Sequence, residues 1–334
     1  MIRRYILSAG VALTVLFVAL SGGMVSAQSR SSGTTTGNGL RISPVRNDMI
    51  VKPGTSQTVD LYVTNVTDIP TELKGVVNDF IASEDESGKP RILLDENTEA
   101  PSHGLRRYVA KIDNFTLQPR EQRIIKVKIT MPADAAGGGY FGAVRFLPKN
   151  VDESKNVSLT ASVGSLFLVT VPGDVKEQAS VESFNVSRGE KGKASNFFTN
   201  GTALHATVRV RNSGNVQVQP FGKVALKKGG KILSTYEINS VQPRGSVLPD
   251  SVRRFSVDFN DKAKTLGKYT VEANLGYGDK GQLITAKTNF IVVPLPILIT
   301  VLICLLLIIA AVFIGPRMLK SHDRKLLRKV RRKS

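Results

Sequence analysis

Two short stretches decide how this chain reads: Thr58-Val-Asp-Leu-Tyr-Val-Thr64 and Arg123-Ile-Ile-Lys-Val-Lys-Ile-Thr130. Val59, Leu61 and Val63 share one face of the first, and Ile125, Val127 and Ile129 share one face of the second. Period-two alternation of apolar and polar residues marks a half-buried antiparallel strand. The same style predicts strands at 71–80, 139–147 and 159–171. It continues at 179–186, 202–212, 219–227, 231–238, 251–259, 267–277 and 283–292, and no long helical periodicity interrupts these runs. About seven short strands in roughly 110 residues is the arithmetic of an immunoglobulin-like sandwich. An eight-stranded barrel is the alternative that such strand lengths allow.

A weak internal repeat divides the strands into two sets. Leu117-Gln-Pro-Arg precedes the strand at 123–130, and Val247-Leu-Pro-Asp precedes the one at 251–259. Gly139-Tyr140 and Gly267-Lys-Tyr269 open the next strand in each half, and an asparagine turn follows an early strand in each (Asn65-Val-Thr, Asn212-Ser-Gly-Asn). Corresponding turns at corresponding strand ends predict one sandwich used twice. The sequence thus predicts a first β-sandwich at 40–175 and a second at 176–290, joined near Val171-Pro-Gly-Asp174. Tyr269 and Tyr277 are candidates for hydroxyl-to-backbone corner bonds or for plain core burial.

The two ends predict where the protein resides. Arg3 and Arg4, an apolar run from Tyr5 to Leu20 and the small-residue pattern Val25-Ser26-Ala27 read as a signal peptide over 1–27; an uncleaved anchor is the alternative. Residues 28–39 are polar and rich in Gly, Ser and Thr, which predicts a flexible lead. From Ile291 to Ile314 no residue is charged over 24 positions. At about 1.5 Å per residue a helix of that length spans roughly 36 Å, enough for a hydrocarbon core of about 30 Å. This predicts a transmembrane helix at 291–315. The basic tail at 316–334 holds nine Lys/Arg and one acid, so it is expected on the cytoplasmic side, against an anionic inner leaflet. The expected localisation is a cell membrane, single-pass, with 28–290 outside.

Composition narrows the function. The single cysteine, Cys304, lies in the apolar run, and three histidines leave little for a metal centre. The net charge of +19 invites a nucleic-acid reading. Membrane topology accounts for the basic ends without one, so no nucleic-acid partner is expected. Gly137, Gly139 and Gly142 match G-x-G-x-x-G, but they run into the extended apolar segment Tyr140–Phe146 and not into a helix, which predicts a glycine-rich hairpin or bulge. Glu84, Asp85, Glu86, Asp95, Glu96 and Glu99 could ligate calcium through oxygen; a solvated loop is the simpler reading. No nucleophile elbow, phosphate loop or zinc motif occurs. The expectation is therefore a non-enzyme with no catalytic residues, no cofactor and no metal.

The order of signal peptide, two sandwiches, apolar span and basic tail resembles the WxL-interacting surface proteins of Gram-positive bacteria. Arg41-Ile-Ser-Pro44 and Gly137-Gly-Gly-Tyr-Phe-Gly-Ala-Val144 resemble that family's first domain. Asn212 to Asn215, Leu248-Pro249 and Gly267-Lys-Tyr269 resemble its second. The resemblance implies wall-glycan binding by the first domain and binding of partner or host proteins by the second. The long polar lead and the basic outer portion depart from the family's pattern.

Candidate ligand-binding residues follow. Tyr140 and Phe141, with Phe146, could stack on sugar rings, while Arg106, Arg107 and Arg145, with Lys126 and Lys128, could meet an anionic envelope polymer. The same residues could instead fill a core and a solvated face. The expected function is a membrane-anchored binding or adhesion protein, its partners a cell-wall glycan or anionic polymer and other surface proteins. The alternative is a chaperone-like assembly module that accepts a partner strand on an exposed sheet edge. Protease added to intact protoplasts is expected to digest 28–290 and spare the tail. A tail cleaved from outside would reverse the topology.

Overall fold

The computed structural model describes residues 35–37, 39–95, 97–149 and 162–331. The expected signal peptide, the lead up to residue 34, Glu96, the start of the strand expected at 159–171 and the last tail residues lie outside the described residues. Strands run β1 (Thr35–Gly37), β2 (Leu40–Ser43), β3 (Arg46–Ile50), β4 (Ser56–Asn65), β5 (Thr71–Ala82), β6 (Pro90–Ile92), β7 (Phe115–Leu117), β8 (Gln122–Thr130), β9 (Gly138–Pro148) and β10 (Val163–Val171). They continue as β11 (Ala179–Arg188), β12 (Phe197–Phe198), β13 (Leu204–Asn212), β14 (Phe221–Lys228), β15 (Lys231–Ile238), β16 (Val252–Asp258), β17 (Gly267–Tyr277) and β18 (Gln282–Val292). A helix, α1, follows at Leu295–Arg331.

The fold is all-β: two immunoglobulin-like sandwiches in tandem, followed by one apolar helix. In the first, sheet β1-β2-β4-β8 faces sheet β3-β10-β9-β5-β6, with β7 also on β5. In the second, β11-β13-β16 faces β12-β18-β17-β14-β15. Alternation drives both. In β13 every second residue from Leu204 to Asn212 is buried, and in β8 Val127 and Ile129 are buried while Lys126 and Lys128 face water. Each sandwich encloses its own apolar core: Leu61, Ile129, Phe146 and Phe167 belong to the first, and Val208, Phe259, Tyr269 and Phe290 to the second.

The internal repeat has a structural basis in two buried asparagines. Asn65 Nδ2 donates to the Ile69 and Gln118 carbonyls, at 2.7 and 3.2 Å, and its Oδ1 accepts from the Thr67 amide. Asn212 Nδ2 donates to the Val216 and Val247 carbonyls, at 2.7 and 2.9 Å, and its Oδ1 accepts from the Gly214 amide. Each side chain closes its own turn and pins it to the loop that leads into the partner strand. Tyr269 makes a corner bond, its hydroxyl donating to the Thr265 carbonyl at 2.8 Å. Tyr277 does not: its hydroxyl meets the Gln282 side chain.

Three readings change. Thr35–Gly37 falls in the stretch expected to be flexible, yet it pairs antiparallel with β2, where an exposed backbone edge offers it hydrogen bonds. Strands β3, β6, β7 and β12 were not anticipated: two or three residues are too short to display alternation, and Arg46-Asn-Asp-Met-Ile50 shows no apolar alternation. Ile291 and Val292, which the expected strand at 283–292 and the expected helix at 291–315 both included, are the last residues of β18, laddered to Lys268 and Gly267. Absence of charge marked the run, but the β ladder claimed its first two residues.

Asn65→Ala and Asn212→Ala should each cost about 2 kcal/mol of stability, because each strands buried carbonyls without a donor. Denaturant melts check this; a neutral substitution would show the turns to be dispensable.

Candidate functional site

Strand β9 splits the sequence-predicted binding residues between two faces, since successive side chains on a strand point opposite ways. Tyr140 packs on the first core, its hydroxyl donating to the Ala136 carbonyl at 3.0 Å, and burial raises its pKa. Phe141 points to the other face and is 2% exposed, in a cluster with Phe80, Ala143 and Leu168. It offers no ring to a sugar, which corrects the stacking reading for that residue. Phe146 is likewise fully buried in the core. Arg145 is half-buried, its guanidinium donating to Ser162 Oγ and Asn78 Oδ1. Arg106 and Arg107 lie on a single 3₁₀ turn, which the buried Asp79 carboxylate holds by accepting the Leu105 and Arg106 amides at 2.8 Å. Arg107 covers the Tyr108 ring, and Tyr108 meets Tyr140 edge to face at 5.6 Å. Of the five residues, Arg107 and Tyr140 come together, bridged by Tyr108. Lys126 and Lys128 are exposed on β8.

The residues that converge lie instead where the two sandwiches meet. The acidic loop after β5 docks on strands β13 and β16. The Glu86 carboxylate accepts Arg209 Nε at 2.7 Å and pairs also with the second arm of that guanidinium; the Arg254 amide donates to the Glu86 carbonyl at 2.9 Å. Arg254 also donates to the Asp85 carbonyl at 2.7 Å. Asp85 caps its own turn, and its pKa falls to about 2 through hydrogen bonds from the Ser83 hydroxyl and the Ser87 amide and hydroxyl. Glu84, Asp85, Asp95 and Glu99 are exposed, as a solvated loop requires, but Glu86 is not: its side chain makes the loop a clasp. Among the described residues, no group of His, Cys, Asp or Glu has the geometry to hold a metal.

Further along the same seam, Asn215 donates to the Gly137 and Asp174 carbonyls and its own carbonyl accepts the Gly139 amide. Gly138, at φ +145°, lies so close that a Cβ there would sit 2.8 Å from the Asn215 carbonyl. The glycine run therefore serves close backbone approach. The Arg253 guanidinium lies in a slot between Gly88 and Gly245, where a Cβ on either would come within 2.4 Å of it. Its Nε is buried without a hydrogen-bond partner among the described residues, and desolvation, with Arg46 nearby, lowers its pKa.

Beside the seam opens a cleft of about 510 Å³, lined by Asp48, Ile50, Gln217, Gln219, Phe221 and Arg244 among others. Arg46 ties two of these lining residues together: it grips Asp48 through two bonds of 2.8 Å and donates to the Arg244 carbonyl and to Ser246 Oγ. Arg244 lies over the Phe221 ring, 3.4 Å from its centroid. Strand β3 supplies the wall. Leu166 donates to the Val45 carbonyl and Val51 to the Thr170 carbonyl, so the odd-numbered residues face β10. In a parallel ladder the intervening residues then turn their N–H and C=O the other way. The backbone groups of Arg46, Asp48 and Ile50 thus form an edge that no strand among the described residues pairs, and Ile50 is 67% exposed. None of this was legible beforehand. The sequence signal nearest to it is the set of arginines at 209, 211, 253 and 254 on predicted strands.

No family model and no curated protein matches this chain. Among solved structures, a chain of the chaperone–tip adhesin complex of CFA/I fimbriae is similar at 14% identity and a TM-score of 0.37, covering 75% of this chain and 98% of that one. The class 5 fimbriae chaperone CfaA gives 14% and 0.36, over 75% and 99%. The E. coli chaperone DraB gives 17% and 0.33, over 75% and 96%. Likeness at these scores assigns no partner to this chain.

The Arg209 hydrogen bonds, with Arg254 nearby, hold Glu86 below the usual glutamate range. A carboxylate depressed in the native state stabilises it fully above the unfolded value and stops doing so as the pH falls through the native one. Hydrogen exchange at the Arg254 amide, corrected for its intrinsic rate, should therefore accelerate below about pH 4. Glu86→Gln should show faster exchange at neutral pH and no such step.

Proposed function

We propose that this chain is a membrane-anchored binding module that receives an extended segment of an exported polypeptide along the outer edge of β3. The observation that carries this reading is the row of N–H and C=O groups at Arg46, Asp48 and Ile50, which no strand among the described residues pairs and whose Asp48 and Ile50 line a cleft. Unpaired strand edges are templates for strand addition, with main-chain bonds giving affinity and adjacent pockets giving selectivity. The exposed Ile50 and the Phe221 ring line the same cleft and suit an apolar side chain of the incoming strand. The helix α1 is long and apolar enough to cross a membrane, which suits the anchoring half of the reading.

Binding of a wall glycan or anionic polymer is the second reading. One observation favours it: the outer face of the β4–β8 ladder presents Tyr62 and Ile124 side by side, with the exposed Arg41, Lys126 and Lys128 on the same sheet. It lacks Phe141 as a stacking ring.

Ile50→Pro separates the two. Proline removes the outward N–H of residue 50 but leaves the bonds to β10 intact, as at any edge position whose amide faces solvent. The full-length variant should melt like the wild type and lose capture of co-exported proteins at least tenfold, with binding to purified wall unchanged. If the wild type captures wall polymer and no exported protein, the wall reading replaces this one.

A further inference from the structure

The two ends of the second sandwich differ in charge in a way that its fold does not require. The end beside the seam comprises 172–178, 213–220, 239–251 and 278–281, and holds three Lys/Arg against four Asp/Glu. The opposite end comprises 188–203, 228–231 and 258–268, and holds eight Lys/Arg against three Asp/Glu. Lys191, Lys193, Lys231, Lys262, Lys264 and Lys268 of this end are all exposed. Large apolar side chains stand exposed among them: Phe197 at 50%, Leu266 at 49% and Ile291 at 43%.

This is also the end from which α1 leaves. Only Val293 and Pro294 separate β18 from the helix. That connection is held: the Ile291, Val293 and Leu295 amides donate to the carbonyls of Asn196, Phe198 and Thr199, at 2.8, 2.9 and 3.1 Å. Phe197 and Ile291 are paired in register on the parallel β12–β18 ladder, so both stand next to the helix start. The end loops are tied together as well, Lys228 Nζ donating to the Leu266 carbonyl and the Ala203 amide to Asp261 Oδ1. Two residues reach at most about 7 Å. A sandwich tethered that tightly to a spanning helix keeps its basic end within a Debye length, about 8 Å at physiological ionic strength, of the bilayer surface.

We propose that this end of the second sandwich is a lipid-docking surface, its lysines meeting the anionic headgroups of the leaflet from which α1 emerges while Phe197, Leu266 and Ile291 enter the interface. Anionic lipid is the chemistry that fits lysines flanking isolated aromatic and aliphatic side chains beside a membrane helix. The consequence is orientation: the binding cleft, at the far end of the same sandwich, is held away from the membrane. The proposal rests on α1 spanning a bilayer and is independent of what the cleft binds.

The chain has no tryptophan, so Phe197→Trp gives a clean reporter at an exposed site. The full-length variant is reconstituted into phosphatidylcholine vesicles with and without phosphatidylglycerol, using lipids brominated near the acyl carbonyl. Docking predicts blue-shifted emission and strong bromolipid quenching in the anionic vesicles, at least twofold weaker quenching in the zwitterionic ones, and a similar loss when Lys262→Glu and Lys268→Glu are added. Emission of a water-exposed indole without quenching, or quenching indifferent to lipid charge and to both lysines, overturns it. A Leu305→Trp variant, placed within α1, reports the span separately. If it is quenched while Phe197→Trp is not, docking alone fails; if neither is quenched, the span fails and docking with it. Unchanged circular dichroism melts confirm that each variant is folded.

Discussion

Strand β9 has no face open to water, and the arrangement of the protein depends on that constraint. One face, through Tyr140, Val144 and Phe146, closes the first core. The other, through Phe141 and Ala143, joins Phe80 and Leu168 in a small apolar cluster that Leu248 of the second sandwich covers. Separating the sandwiches would remove Leu248 from that cluster. At roughly 25 cal/mol per Å² of apolar surface, even a modest patch outweighs a single surface ion pair. The burial therefore holds the sandwiches together, and the polar contacts around it set their register.

The clasp at Glu86 is one of those contacts. It pairs a loop of the first sandwich with both strands of an arginine-bearing face on the second, and the Arg254 amide that it satisfies belongs to an edge strand. The loop thus satisfies one outward amide of that edge. Among the described residues, no strand or loop covers the outer edge of β3 in this way. The strand-addition proposal rests on this difference between a capped edge and an open one.

The second sandwich is polarised along its length. Its seam end is nearly balanced in charge, and its helix end is strongly basic and carries exposed apolar side chains beside a two-residue connection to α1. The proposed lipid contact and the proposed polypeptide contact lie at opposite ends of its strands, so neither would occupy the other's surface.

The sequence by itself determined the longer alternating strands, the two-sandwich architecture and the apolar helix, because these are written locally; β3 and the strands of two or three residues show no such pattern. Alternation in Val59–Val63 or Ile125–Ile129 reports burial on one face without reference to any distant residue. The asparagine turns at 65 and 212 were legible as a repeat for the same reason, although their role in pinning a distant loop was not. Only the tertiary structure decided which face of β9 carries Phe141, that Glu86 would find Arg209 across 123 positions of chain, and that β3 would keep one edge unpaired. Each of these depends on the packing of one sandwich against the other. Side-chain period two fixes that neighbours on a strand diverge, but what covers each face is set by contacts between residues far apart in the chain, and no local pattern encodes them.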